Sequence, residues 1–198
     1  MVKRLLDLVI GGLALLVSAP LMAVIGALTR MLDGPPVLFR QARSGRGGRP
    51  FTMVKFRTMR PPRPGEEGPE HDADRLTSVG GVLRSTSLDE LPTLLHVVRG
   101  QMSLVGPRPL PVAYLHRYDD TQARRLEVRP GVTGWAQVNG RNTTSWADRL
   151  AMDVWYVDHA SLCLDLQILW RTVGVVLRRS GIDHGTGVTM TEFRGTPS

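Results

Sequence analysis

The chain has 198 residues, 42% of them hydrophobic, with 25 Lys and Arg against 18 Asp and Glu, a net charge of +7 and one cysteine, Cys163. This length suits one domain, or one domain with an appendage, and is enough to bury a core. The lone thiol excludes an internal disulfide framework, and the basic balance points to an anionic partner: nucleic acid, anionic lipid or a phosphorylated substrate. The five histidines, at positions 71, 96, 116, 159 and 184, have no metal-ligand spacing, which argues against a zinc site.

From Leu8 to Leu28 there is no charge. A straight helix over this stretch is about 31 Å long, the thickness of a bilayer's hydrocarbon core. A cleaved signal is disfavoured because the small-residue site Val17-Ser18-Ala19 is followed by Pro20. A single-pass helix fits the length. A re-entrant hairpin fits two further features. Pro20 bends a helix near its middle, with the Ser18 hydroxyl close by to satisfy backbone groups. Both flanks are also basic, Lys3-Arg4 before and Arg30, then Arg40 to Arg49, after, where a span carries its Lys/Arg excess on one side. The residues alone leave hairpin and span open.

Two short strands are predicted at 37–41, "VLFRQ", and 51–57, "FTMVKFR", around a glycine-rich turn at 44–48. The stretch "PPRPGEEGPEHD" (61–72) reads as a mobile loop. Helices are expected near 75–84, 89–99 and 111–127. A glycine-rich loop (129–142) follows, then helices near 145–159 and 161–179. The last is amphipathic through Leu162, Leu166, Leu169, Trp170, Val173 and Leu177, which suits either a membrane interface or a core-facing surface helix.

The segment "STSLDELP" (85–92) sets two carboxylates side by side in a basic chain. Ser87 and Glu90 have capping-box spacing, so a helix start is one reading. Pro92 is tolerated only in a first turn, which moves the expected start towards Asp89. Chemistry is the other reading. Lys55 and Arg57 lie on the second strand, Arg84 precedes the acids, and Arg108 is stiffened inside "GPRP" (106–109). Arg129 and Arg141 bracket "RPGVTGWAQVNGRN" (129–142). Arginine on stiff backbone suits bidentate phosphate recognition, and carboxylates bordered by cations are expected where phosphates react.

Four segments in order, "KRLLDLVIGGLALLVSAPLM", "VLFRQARSGRGGRPFTMVKFRTMR", "LRSTSLDELPTLLHVVRGQMSLVGPRPL" and "RPGVTGWAQVNGRN", resemble the monotopic bacterial sugar transferases, small polyprenyl-phosphate phosphoglycosyl transferases. The resemblance runs from about residue 3 to about 178. It implies a mostly α fold with a small β-hairpin. It divides the chain into a re-entrant helix-break-helix (1–33, with Ser18 and Pro20 at the break), a cytoplasmic catalytic domain with interfacial amphipathic helices (34–180) and a tail (181–198). Asp89 resembles the nucleophile and Glu90 its partner, the two also being candidate Mg²⁺ ligands. Lys55, Arg57, Arg84, Arg108, Arg129 and Arg141 are the candidate phosphate and uridine contacts. The implied reaction takes a UDP-sugar and undecaprenyl phosphate, passes through a phosphosugar-aspartyl intermediate and releases UMP. Its implied place is the cytoplasmic face of the bacterial inner membrane, among membrane lipids; the sugar and the oligomeric state, a dimer being one option, are left open.

The chain departs from the family pattern at Ala19, where Ser usually precedes the proline, at Gly81 in place of a common Arg, and at His96 and Gln101 in place of a frequent Asn and Asp. A membrane-tethered nucleic-acid-binding module and a non-catalytic membrane scaffold are the rival readings. The chain lacks the aromatic strand motifs and basic helices of nucleic-acid binders, so no nucleic acid is expected.

Overall fold

In the computed structural model, which describes residues 1–66, 68, 71–140, 144–177 and 192–195, the apolar N-terminus is a single helix, α1 (Val2–Leu32). It is assigned as helix straight through Pro20, so the break expected in the sequence is not an interruption of secondary structure. The Ser18 hydroxyl donates to the Leu15 carbonyl (3.3 Å), a bond within the helix next to the proline. At 1.5 Å per residue, α1 is about 46 Å long. Only 11% of its most apolar 18-residue stretch is buried, unlike the core helix of a soluble protein.

Both ends of α1 are fastened to the same body. Near the start, Asp7 is buried and accepts from the Ser103 hydroxyl and the Leu104 N–H, both at 2.9 Å. Lys3 pairs with Asp165 at 2.5 Å, and Arg4 donates to the Val97 and Val98 carbonyls at 2.6 and 2.8 Å. Near the end, Ile25 packs with Phe56 and Leu83. Just past it, the Thr77 hydroxyl donates to Asp33 at 2.8 Å. Arg57 is buried and donates to the carbonyls of Asp33, Gly34 and Pro35 at 2.6–2.9 Å, holding the chain as it leaves the helix.

The hairpin forms as expected: β1 (Leu38–Ser44) pairs antiparallel with β2 (Pro50–Phe56), Phe39 opposite Lys55 and Gln41 opposite Met53. Two short helices follow, α2 (Asp72–Arg75) and α3 (Ser78–Ser85), the second capped by Thr77, whose hydroxyl accepts from the Gly80 N–H. The acidic pair lies on a 3-10 turn, Leu88–Thr93, which runs into α4 (Leu94–Arg99). Pro92 fits this tight turn and leaves the α-helix proper to begin after it.

Beyond α4, β3 (Ser103–Val105) pairs in parallel with β4 (Gly131–Thr133), a second small sheet inside what reads in sequence as loop. The single helix expected at 111–127 is divided. A 3-10 stretch (Val112–Arg117) is followed by α5 (Asp120–Ala123) and a further 3-10 turn (Arg124–Leu126), because Asp119 and Gln122 form a capping box that starts a new helix. α6 (Trp135–Asn139) leads to α7 (Trp146–His159) and α8 (Leu162–Leu177). The main core is built from Met53, Val97, Met102, Val105, Tyr156 and Ile168, between the hairpin, α4 and the two long C-terminal helices.

On α8, Leu164 and Ile168 are buried, while Leu162, Leu166, Trp170, Val173 and Val176 are exposed. An apolar stripe therefore faces outward, beside the N-terminal half of α1: Lys3, Leu6, Asp7 and Ile10 line one groove with Leu162 and Leu166. In the tail, Phe193 is buried against Tyr114, Tyr118 and Trp146, and its N–H donates to the Tyr114 hydroxyl (3.2 Å). Of the tail expected at 181–198, residues 192–195 are described and the others lie outside the described residues.

The backbones of residues 106–107 and 129–134 touch directly. A Cβ on Gly131 would lie 2.1 Å from the Gly106 nitrogen, and one on Gly106 would lie 2.4 Å from the Arg129 carbonyl. Gly131→Ala is expected to cost about 2 kcal/mol of stability through the forced separation of β3 from β4. Thermal denaturation of the detergent-solubilised protein checks this; an unchanged midpoint would show that the two strands can separate freely.

Candidate active site

Asp89 and Glu90 are placed by a backbone that a capping box would not produce. Ser87 has left-handed φ/ψ (φ 56°) and its side chain makes no cap hydrogen bond, so the capping box expected in the sequence is not formed. A non-glycine residue in this region carries backbone strain of order 1 kcal/mol. The Glu90 side chain instead meets Arg108, whose guanidinium donates to Oε1 at 2.6 Å. Asp89 is 6% exposed, and among the described residues its carboxylate has only a loose ion pair, 3.9 Å from Lys55 Nζ.

The electrostatics separate the two acids. Burial and then the Glu90 charge push the Asp89 carboxyl above the usual range, against Lys55, Arg108 and Arg84. Burial pushes Glu90 in the same direction, but the Arg108 charge and hydrogen bond outweigh it and hold Glu90 low. The Lys55 ammonium is lowered by burial, with Asp89 pulling it back. The arrangement is a buried, weakly solvated carboxylate beside a firmly ionised one, with cations in reach of both. Such a carboxylate is suited to nucleophilic attack.

Other expected residues divide into two groups. Arg84 is on α3 with its Nε donating to the Thr58 hydroxyl (3.0 Å), within electrostatic range of Asp89. It joins Lys55 and Arg108 in the site. Arg57 is occupied with the three carbonyls that follow α1, and Arg129 donates to the Gly100 carbonyl (2.9 Å) at the end of α4; neither is brought to the acidic pair. Arg141 lies outside the described residues.

Three residues of β1 line the site without having been singled out in the sequence. An open cavity beside the acids is bounded by Phe39, Gln41, Arg43, Lys55 and Arg108. Arg43 donates to Gln41 Oε1 (2.6 Å) and to the Pro109 carbonyl (3.3 Å), while its Nε is buried without a partner. Burial and the neighbouring Arg108 push its guanidinium down to about 10. This is a cluster of cations short of anions. The period-two spacing 39, 41, 43 was the available signal, since alternate strand residues share a face.

Among the described residues no group of three or more His, Cys, Asp or Glu could form an all-protein metal cage. Asp89 and Glu90 are two adjacent carboxylates, a donor set of the kind Mg²⁺ takes when substrate phosphates and water complete its shell.

Asp89, raised in the fold, contributes stability that is present below the ordinary carboxylate range and lost as pH rises through its folded value; Glu90, lowered, does the reverse. The melting temperature of Asp89→Asn relative to the parent is therefore expected to rise as pH increases above the ordinary carboxylate range, about 4. A difference that stays flat with pH would show that burial does not perturb Asp89.

Known proteins resemble this chain over most of its length. The family model for bacterial sugar transferases matches residues 1–179. An uncharacterized sugar transferase of Bacillus subtilis, EpsL, is 47% identical over 194 residues, covering 98% of this chain and 96% of its own length. A UDP-glucose:undecaprenyl-phosphate glucose-1-phosphate transferase of Caulobacter vibrioides is 45% identical, covering 88% of this chain and 69% of its own. An undecaprenyl-phosphate galactose phosphotransferase of Salmonella typhimurium is 39% identical over 90% of this chain, which spans 41% of that longer protein.

Proposed function

Because the chain belongs to the bacterial sugar transferase family, we propose that it transfers a sugar-1-phosphate from a UDP-sugar to undecaprenyl phosphate, as the name of its Caulobacter relative describes for glucose; the Salmonella relative's name gives undecaprenyl phosphate and galactose. The observation that carries the reading is the buried, sparsely bonded Asp89 among Lys55, Arg84 and Arg108.

An Asp89 oxygen attacks the sugar-proximal phosphorus, the P–O bond to the bridging oxygen breaks, and UMP leaves with the electron pair. Lys55, Arg84 and Arg108 supply the positive charge that lets an anion approach a diphosphate. In the second half an oxygen of undecaprenyl phosphate attacks the same phosphorus. The bond to Asp89 breaks, restoring the carboxylate and leaving a polyprenyl-diphosphate sugar. The acceptor is already ionised at neutral pH, so no proton has to be removed. Glu90, held ionised by Arg108, fixes that arginine towards the site. Two substrates, one aqueous and one lipid, thereby share one small site in turn. Mg²⁺, held by Asp89 and Glu90 with the donor's diphosphate, would offset negative charge on the phosphates.

The membrane reading is monotopic, on the cytoplasmic face of the bacterial inner membrane. A helix fastened to one body at Lys3, Arg4 and Asp7 and again at Ile25 and Asp33 supports entry and exit on the same side. The outward apolar residues of α1 and α8 supply the surface that would meet lipid.

UMP release is measured with purified protein, undecaprenyl phosphate, Mg²⁺ and a panel of UDP-sugars. Asp89→Asn is expected to lower the rate at least about a thousandfold, and a chelator to stop it. Retained turnover would remove Asp89 as nucleophile, and an unaffected rate with chelator would remove the metal. In intact cells both termini should be shielded from external labelling reagents; labelling of one end alone would mean a span.

A further inference from the structure

We propose that the cavity-facing side of the β1–β2 hairpin seats the uracil of the donor nucleotide, with Phe39 as the stacking surface and Gln41 reading the edge of the base. The inference rests on the transferase reading above. Phe39, Gln41 and Arg43 alternate along β1 and all line the cavity that Lys55 and Arg108 share. From Phe39 to Arg43 the strand advances about 13 Å, a span on the scale of a nucleoside diphosphate. Phe39 is 41% exposed, and Lys55 Nζ lies over its ring, 5.7 Å from the centroid, and 3.9 Å from Asp89. A planar apolar surface, a phosphate-binding cation and the nucleophile therefore follow one another across the hairpin.

The chemistry of Gln41 selects the ligand. Its carboxamide oxygen is taken by Arg43 at 2.6 Å, which fixes the amide orientation and leaves the NH₂ group to meet a ligand. A group that only donates matches the O4 carbonyl of uracil and opposes the amino group that cytosine carries at the same position. A sugar hydroxyl can also accept from this group, so the aromatic face beside it is what favours a base over a sugar. An aromatic face beside it adds base stacking.

The test is binding of UMP and of CMP to the full-length protein in detergent, by titration calorimetry, in the parent and two variants, alongside UMP release from UDP-sugars. The parent is expected to prefer UMP. Phe39→Ala should weaken both nucleotides about tenfold. Gln41→Glu keeps an oxygen for Arg43 but replaces the donor with an acceptor, so it should lower the UMP preference about tenfold; thermal melts confirm that the variants fold. If the parent turns over and binds UMP but neither variant changes nucleotide binding, the seat is overturned while the transferase reading stands. Altered donor-sugar preference with unchanged UMP affinity would assign the face to the sugar instead. A parent that neither binds UMP nor releases it would overturn both.

Discussion

The candidate site is arranged around a buried carboxyl group, Asp89, where burial raises the pKa and three cations oppose it. Asp89 is nearly inaccessible, and removing a lone anion from water is costly unless opposite charges replace the solvent. Three different elements bring those charges: β2 carries Lys55, α3 carries Arg84 and the segment after β3 carries Arg108. β2 is held by its pairing with β1, and the other two by close backbone contact. A Cβ on Gly80 would lie 1.9 Å from the Thr58 carbonyl, so α3 can sit against the end of the hairpin and hand Arg84 to the Thr58 hydroxyl. The contact between Gly106 and Gly131 fixes the loop that bears Arg108 in the same way. The fold thereby brings three cations from separate elements around the acidic pair.

What the sequence made legible was the part governed by local rules. The hairpin is announced by its strand residues and glycine turn, the long apolar segment by its composition, and α7 and α8 by their helical spacing. The Asp-Glu pair with Lys55, Arg84 and Arg108 was found because unusual residues cluster in stiff segments. What was hidden depends on contacts far apart in the chain. The parallel pairing of β3 with β4 links strands of three residues each, too short to show a period. Arg57 and Arg129 look like substrate contacts by composition, yet backbone carbonyls take their hydrogen bonds, which no motif reveals. The capping-box spacing of Ser87 and Glu90 was correct as a pattern, and tertiary pairing of Glu90 with Arg108 overrode it.

The departures from the family pattern at positions 96 and 101 belong together. His96 Nδ1 lies 2.7 Å from Gln101 Oε1, and its other nitrogen accepts from the Val54 N–H at 3.2 Å. With Nε2 accepting, Nδ1 must carry the hydrogen, so the pair ties the inner strand of the hairpin to the end of α4. Two substitutions that carry no evident meaning singly form one structural bridge behind the site.

The double fastening of α1 also bears on how the protein is made. Lys3 is paired with a carboxylate 162 positions later, and Asp7 is hydrogen-bonded by groups 96 and 97 positions later. During synthesis the apolar helix leaves the ribosome long before any of these partners exists. Its early encounter with lipid is therefore governed by hydrophobicity alone, whereas its final seat is chosen only after almost the whole chain has emerged. Membrane encounter and final seating are thus separate in time, and α8, the last of the described helices, supplies the partner of Lys3 that completes the seat of α1.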